Sequence, residues 1–301
     1  MTRHLLSLSD VGGEGLISLL DDAERWRTER GSAQARRPLV GKSIALIFEK
    51  ASTRTRISFE VAVSELGAHP VVITEGSQLG RGEPVADTAR VLSRMVHAIA
   101  FRTTGEARLR EMARFSQVPV LNALTDSSHP MQLLADLLTA RRVHGRLEGL
   151  DYAWVGDGNN MASSWIEAAG LLGLRLRLAC PSGYEPDERE VTRARDAGAE
   201  VEVVADPRRA VAGAHVVSTD VFASMGQEAE KSARQSAFRG YQVSRELLRE
   251  AAKNVVVLHC LPAHRGEEIE AEVLEGPQCR VWDQAEARLH TAKAALAWAL
   301  A

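Results

Sequence analysis

The chain has 301 residues, enough for two domains with sizeable cores. It is 45% hydrophobic and 26% charged, an ordinary balance for a globular protein. With 37 Lys plus Arg against 40 Asp plus Glu, the formal charge of -3 excludes a broad basic field for nucleic acid or an acidic membrane. The opening residues Met1-Thr2-Arg3-His4-Leu5-Leu6-Ser7 lack the apolar core of a signal peptide. No apolar run approaches the ~20 residues of a membrane span. Three cysteines, Cys180, Cys260 and Cys279, are odd in number and far apart, which fits free thiols in a cytoplasmic protein better than a disulfide framework.

Short β-rich runs alternate with helical patterns along nearly the whole chain. Strands are predicted at 43–48, 71–74, 97–101 and 118–121, then at 152–155, 175–179, 200–204, 215–218, 255–258 and 280–282. Helical patterns lie between them, as at 84–95, 131–144, 161–172 and 189–197. The alternation predicts an α/β protein of two doubly wound domains, each with a central parallel sheet covered on both faces. The helix opening at His129-Pro130 should pass from one domain to the other. A last helix, 284–300, with apolar Ala285, Leu289, Ala292 and Leu296, should return to the first. The domains are then 1–139 plus 287–301, and 140–286. The least regular stretch is 221–243, a length often functional in loops.

Ligands in open α/β sheets bind beyond the carboxyl ends of the strands. The polar residues that follow each predicted strand are therefore the candidates. After the first come Ser52-Thr53-Arg54-Thr55-Arg56, reading as the start of a helix. Helix-start N–H groups, hydroxyls and guanidiniums together suit a small phosphate compound; the bland alternative is a solvated basic turn. Arg102 follows the third strand, as a second phosphate contact or a surface arginine. His129 either caps a helix before Pro130 or donates to a carbonyl oxygen, with Gln132 one turn later on the same face. Gly156-Asp157-Gly158-Asn159-Asn160 fails the dinucleotide pattern, since Met161 stands at the third glycine position and Cys180-Pro181 replaces the acidic residue of the next strand. Its asparagines suit an amino-acid carboxylate or simple capping. Asp220 is placed for an ammonium group, or is an Asx-turn acid. Cys260 is a buried inert thiol, or a nucleophile with His129 or His264. His259, Cys260 and His264 lack paired metal-ligand spacing, so no metal and no cofactor are expected.

Taken together, Ser52-Thr53-Arg54-Thr55-Arg56, His129-Pro130-x-Gln132 and His259-Cys260-Leu261-Pro262 resemble the transcarbamylase family, in that order. Gly156–Asn160, Asp220 with Ser224-Met225-Gly226, and Arg265-Gly266-Glu267 resemble its ornithine branch. The resemblance runs from about Leu39 to the C-terminal helix. It implies transfer of a carbamoyl group from carbamoyl phosphate to the δ-amine of L-ornithine, in a cleft between a carbamoyl-phosphate domain and an ornithine domain. It implies that Ser52, Thr53, Arg54, Thr55, Arg56 and Arg102 hold the phosphate, with Arg288 near it. Arg102, Thr55 and His129 would polarise the carbonyl, while Gln132 and the backbone carbonyl of Leu261 hold the amide. Asn160, Asp220, Ser224 and Met225 would bind ornithine, with Cys260 beside both the δ-amine and the carbamoyl group. A homotrimer, or an assembly of trimers, is also implied, with Gln78 reaching a neighbour's site. Two departures are visible: Ala51 and Ala287 stand where the family often has Asn. The remaining alternatives are another amine acceptor (N-acetylornithine, putrescine or aspartate) and a Cys-His amidohydrolase.

Overall fold

The structure is a computed structural model that describes residues 2–33, 35–74, 82–223 and 231–301. It divides into two compact units, Met1–Leu138 with Ala285–Ala301, and Thr139–Gln284. Both divisions fall inside helices, α5 (Pro130–His144) and α11 (Val281–Ala299).

The first unit is built on four parallel strands, β1 (Ser43–Phe48), β2 (His69–Ile73), β3 (Ala98–Arg102) and β4 (Val120–Leu124), in the order β2-β1-β3-β4. In β1 every residue from Ile44 to Phe48 is buried, the unbroken apolar pattern of a parallel strand covered on both faces. β2 is partly exposed and carries Pro70, which an edge strand tolerates because one side needs no donor. The opposite edge, β4, is covered by the N-terminal segment: Leu5 N donates to Val120 O and Asn122 N to Leu5 O. Ala45, Ile47, Ile99, Phe101, Leu109, Met112 and Val120 form a core with α3 (Val85–Leu92) and α4 (Glu106–Phe115). Two further helices, α1 (Gly12–Glu29) and α2 (Thr53–Glu65), complete the N-terminal part of this unit.

Five parallel strands form the second unit: β5 (Asp151–Val155), β6 (Arg175–Ala179), β7 (Glu200–Val204), β8 (Val216–Thr219) and β9 (Val256–His259), in the order β7-β6-β5-β8-β9. Between them run α6 (Asn160–Leu172), α7 (Glu188–Asp196), α8 (Pro207–Val211) and α9 (Lys231–Ala237), and α10 (Ala271–Leu274) follows β9. Val155, Val217 and Val257 meet Phe222, Phe238 and Tyr241 in one buried cluster.

Three expectations change. Residues 280–282 are not a strand. Cys279 makes a single bridge to Val257, Arg280 N donates to Val257 O, and by Gln284 N to Arg280 O the chain is already helical. Three residues are too few for periodicity to separate the two states. The fourth strand runs to Leu124 rather than ending at 121. Asn122 looks like a strand end but stays in the ladder, its side chain reaching Leu6 O and Ser128 Oγ. A register shift at Phe101/Arg102 and a positive φ of 148° at Leu124 accompany this extension. Finally, the irregular 221–243 stretch contains α9.

The order of strands reverses between β1 and β3 in the first sheet, and between β5 and β8 in the second. Those are the crevices where ligands bind in such sheets.

Candidate active site

In the first unit, the crevice between β1 and β3 is flanked by the start of α2 and by Arg102. Ser52 is the N-cap of α2, in extended backbone (φ -156°, ψ 112°), yet its side chain makes no capping bond and the first turn has no acidic residue. Its hydroxyl instead accepts from Arg102 Nη1 at 3.1 Å. The positive end of the helix dipole is thus not neutralised by a carboxylate of its own first turn. Arg288, on α11, donates through Nη1 to Gln132 Oε1 at 2.8 Å and through Nη2 to Thr55 Oγ1 at 2.5 Å. Gln132 Nε2 in turn donates to Asp136 Oδ1 at 3.0 Å. Thr55, Arg102, His129, Gln132 and Arg288 are all buried. Buried guanidiniums need hydrogen-bonding partners, and those of Arg102 and Arg288 donate to Ser52, Gln132 and Thr55.

His129 opens α5, its carbonyl accepting from Gln132 N and Leu133 N. Burial first, then the charges of Arg288, Arg102 and Arg54, hold its imidazole well below the ordinary range. At neutral pH it is an uncharged ring, able to donate from one nitrogen without repelling the arginines.

Behind these groups lies a carboxylate that spacing did not reveal. Glu49 N donates to Arg102 O at 3.0 Å, and its side chain bonds Thr103 Oγ1 and Arg108. The ends of β1 and β3 are thereby tied together, fixing where Arg102 starts.

In the second unit, the crevice between β5 and β8 collects a polar set. Gly156 has φ +145°, and a Cβ on Gly158 would lie 2.3 Å from Pro186 N. The two glycines therefore serve the turn and its close packing on 185–186, rather than a dinucleotide. Asn159 caps α6, its Oδ1 accepting from Met161 N and Ala162 N, and its Nδ2 donates to Asp220 Oδ2 at 3.1 Å. Asp220 Oδ1 accepts from Val221 N and from Cys260 Sγ, both at 2.8 Å. Asn160, half-buried, is the first residue of α6.

Cys260 follows β9, and its loop is held by a buried pair. His259 Nε2 bonds Glu268 Oε1 at 2.9 Å, while His259 Nδ1 accepts from Leu261 N at 2.8 Å. The Leu261 N–H thus fixes the tautomer. His264 N also donates to Glu268 Oε1. Leu261 sits at φ +57°, a left-handed conformation rare for a branched residue, and is joined to Pro262 by a cis bond. Because both ring nitrogens of His259 are committed, it is not a base for Cys260; His264 is largely exposed. Among the described residues, Asp220, His259 and Cys260 cluster, as do His264, Glu267 and Glu268. In the first cluster, the ring of His259 already serves Leu261 N and Glu268. Burial pushes Cys180 up to about 12 and raises Cys279 as well.

The first unit therefore gathers Ser52, Arg54, Thr55, Arg102, His129, Gln132 and Arg288, and the second Asn160, Asp220, Cys260 and Leu261. Thr53 is exposed in the first helical turn, and Arg56 is exposed and paired with Glu60 at 2.5 Å. Gln78, Ser224 and Met225 lie outside the described residues.

A family model described as "Aspartate/ornithine carbamoyltransferase, carbamoyl-P binding domain" matches residues 3–142, and one described as "Aspartate/ornithine carbamoyltransferase, Asp/Orn binding domain" matches 148–299. The chain belongs to the aspartate/ornithine carbamoyltransferase family. An ornithine carbamoyltransferase of Geobacter metallireducens is 52% identical over 299 residues, 99% of each chain. One of Acidothermus cellulolyticus is 54% identical over 306 residues, covering 100% of this chain and 97% of that one. Among solved structures, the ornithine carbamoyltransferase of Pyrococcus furiosus has a TM-score of 0.94 at 45% identity, covering 98% and 96% of the two chains. That of Thermus thermophilus has a TM-score of 0.91 at 45% identity over the full length of both. The two matched ranges, 3–142 and 148–299, contain the first and the second parallel sheet respectively.

Proposed function

We propose that the chain transfers the carbamoyl group of carbamoyl phosphate to the δ-amine of L-ornithine, releasing L-citrulline and phosphate. The observation that carries this reading is the buried set Thr55, Arg102, His129, Gln132 and Arg288 at the N-terminus of α2. It offers donors for a phosphate and for a carbonyl oxygen, and an amide acceptor in Gln132 Oε1.

The uncharged amine nitrogen attacks the carbamoyl carbon. Negative charge gathers on the carbonyl oxygen, where Arg102, Thr55 and neutral His129 donate. The bond from that carbon to the bridging oxygen breaks, and phosphate departs into the field of Arg54, Arg102 and the start of α2. The nitrogen passes its proton to the departing phosphate, which leaves as hydrogen phosphate. In the second unit, Asn160 serves the amino-acid end of ornithine, while Asp220 and Cys260 serve the amine. Ser224 and Met225 are assigned the same substrate from the motif. The thiol donates to the Asp220 carboxylate, which favours direct transfer over a Cys-His amidohydrolase. We further propose a cytoplasmic homotrimer, with Gln78 completing a neighbour's site; exposed Ile57, Val91 and Met95 on the first unit offer apolar surface for self-association. Sedimentation giving a monomer mass would remove the trimer.

The reaction is tested by mixing the protein with carbamoyl phosphate and ornithine. Equal amounts of citrulline and phosphate are expected, and only with both present. Phosphate release without citrulline would refute transfer.

A further inference from the structure

The first turn of α4 carries none of the crevice motifs, yet its side chains hold both loops that do in the first unit. Arg108 reaches back to the end of β1 with its planar fork. Nη2 donates to Glu49 Oε1, while Nε donates to Glu49 Oε2 and to Thr103 Oγ1, both at 3.3 Å. Thr103 Oγ1 itself donates to Glu49 Oε2. Glu49 stands three residues before Ser52, the N-cap of α2. Glu106, the first residue of α4, serves the loop after β4 instead. Its Oε2 accepts from Thr125 Oγ1 at 3.2 Å, and that hydroxyl oxygen accepts from Ser127 N and from Ser128 N, the residue before His129.

An ion pair whose arginine side chain is 38% exposed contributes little to folding. The effect of these links is on geometry. The Arg108 fork fixes Glu49, and with it the chain that enters Ser52. Glu49 N also donates to Arg102 O at 3.0 Å, and the Ser52 hydroxyl accepts from Arg102 Nη1 at 3.1 Å. The start of α2 and the end of β3 are thus held as one piece. The loop that leads to His129 has a further support, since Asn122 Nδ2 donates to Ser128 Oγ at 3.0 Å. Loss of the Glu106 link should therefore have the smaller effect.

We propose that Arg108 and Glu106 are positioning residues for the donor subsite of the first unit, Arg108 for the phosphate end and Glu106 for the carbonyl end. The inference rests on the carbamoyl phosphate reading above. Donors at the start of α2 face a phosphate that is charged before and during reaction, so displacing them weakens binding. The His129 donor gains strength only as charge gathers on the carbonyl oxygen, so displacing it slows turnover.

Steady-state kinetics on full-length Arg108→Ala, Arg108→Lys, Glu106→Ala, Glu106→Gln and Thr125→Val tests this. Arg108→Ala should raise the carbamoyl phosphate KM on the order of tenfold, as small misplacements do, with the smaller change in kcat. Arg108→Lys keeps the charge without the planar fork, so its KM should lie between; it decides the matter if Arg108→Ala fails to fold. Glu106→Ala should lower kcat several-fold with the smaller change in KM. Glu106→Gln keeps an oxygen acceptor for Thr125 and should restore turnover. Thr125→Val breaks the same link from its other end, should lower kcat likewise, and replaces Glu106→Ala if that variant does not fold. An unchanged carbamoyl phosphate KM in the Arg108 variants, the same pattern of KM and kcat at both positions, or a Glu106→Gln enzyme as slow as Glu106→Ala would overturn the proposal. Failure of the wild-type protein to make citrulline would instead overturn the reading on which it rests.

Discussion

Burial first, then the charges of three guanidiniums, decide what His129 can do. Desolvation, with Arg288, Arg102 and Arg54 added, keeps the ring neutral, so in the proposed reaction it donates a hydrogen bond rather than acting as a cation. Removing one preorganised donor of this kind typically costs ~10²–10³ in kcat. His129→Ala should lose that much in a single-turnover assay while still binding carbamoyl phosphate; near-normal turnover would take His129 out of the mechanism. The depressed affinity for protons also fixes a sign. Folded His129 binds a proton less readily than the unfolded chain, whose imidazole titrates near 6.5. Its contribution to stability is therefore complete above that pH and falls as pH drops below it. Thermal midpoints measured downward from pH 7 should decline, and His129→Gln should flatten part of that decline. At Cys260, the thiol donates to Asp220, a bond that a hydroxyl can also make. Cys260→Ser should thus be impaired in citrulline formation but active; complete loss would revive a covalent route through the sulfur.

At the level of elements, the motifs sit where strand ends and helix starts meet. Asn159 caps α6 through two backbone N–H groups, and loss of such a cap costs about 1 kcal/mol. Asn159→Ala should therefore lower the unfolding free energy by about that amount, and should also weaken ornithine binding because Asp220 loses a donor. Gly158→Ala places a methyl group against backbone at 185–186, so the turn must move. Ornithine binding by calorimetry should fall sharply, with carbamoyl phosphate binding retained. These elements were legible because apolar strands alternate with capped helices, and because the sheet-edge rule selects Ser52, Arg102, His129, Asn160, Asp220 and Cys260 without any contact map. What was not legible is long-range pairing. Glu49 meets Arg108 across 59 positions and Asp157 meets Arg234 across 77. No local pattern announces which carboxylate a distant arginine will find. The helix start at 280–282 was missed for a different reason, since a short strand and one helical turn carry the same apolar signal.

Across the whole molecule, two units of like design carry the groups assigned to the proposed reaction. Each has a parallel sheet whose strand order reverses once, and each places its polar set at that reversal. The first collects cations and neutral donors, suited to a phosphate with a carbonyl. The second centres on Asp220, suited to an amine. In the proposed reaction, specificity for the acceptor belongs to the second unit, and reactivity of the donor to the first. Turnover should rise with pH through the mildly alkaline range, because the attacking amine must lose a proton and an alkylamine has a pKa near ~10.4; the profile needs no histidine limb. The division of labour is tested most directly by kcat/KM for carbamoyl transfer to L-ornithine, N-acetylornithine, putrescine and aspartate, all at saturating carbamoyl phosphate. Ornithine should be preferred by orders of magnitude, and the Asp220→Asn variant should lose that preference while still binding carbamoyl phosphate. A higher value for any of the other three acceptors would contradict it.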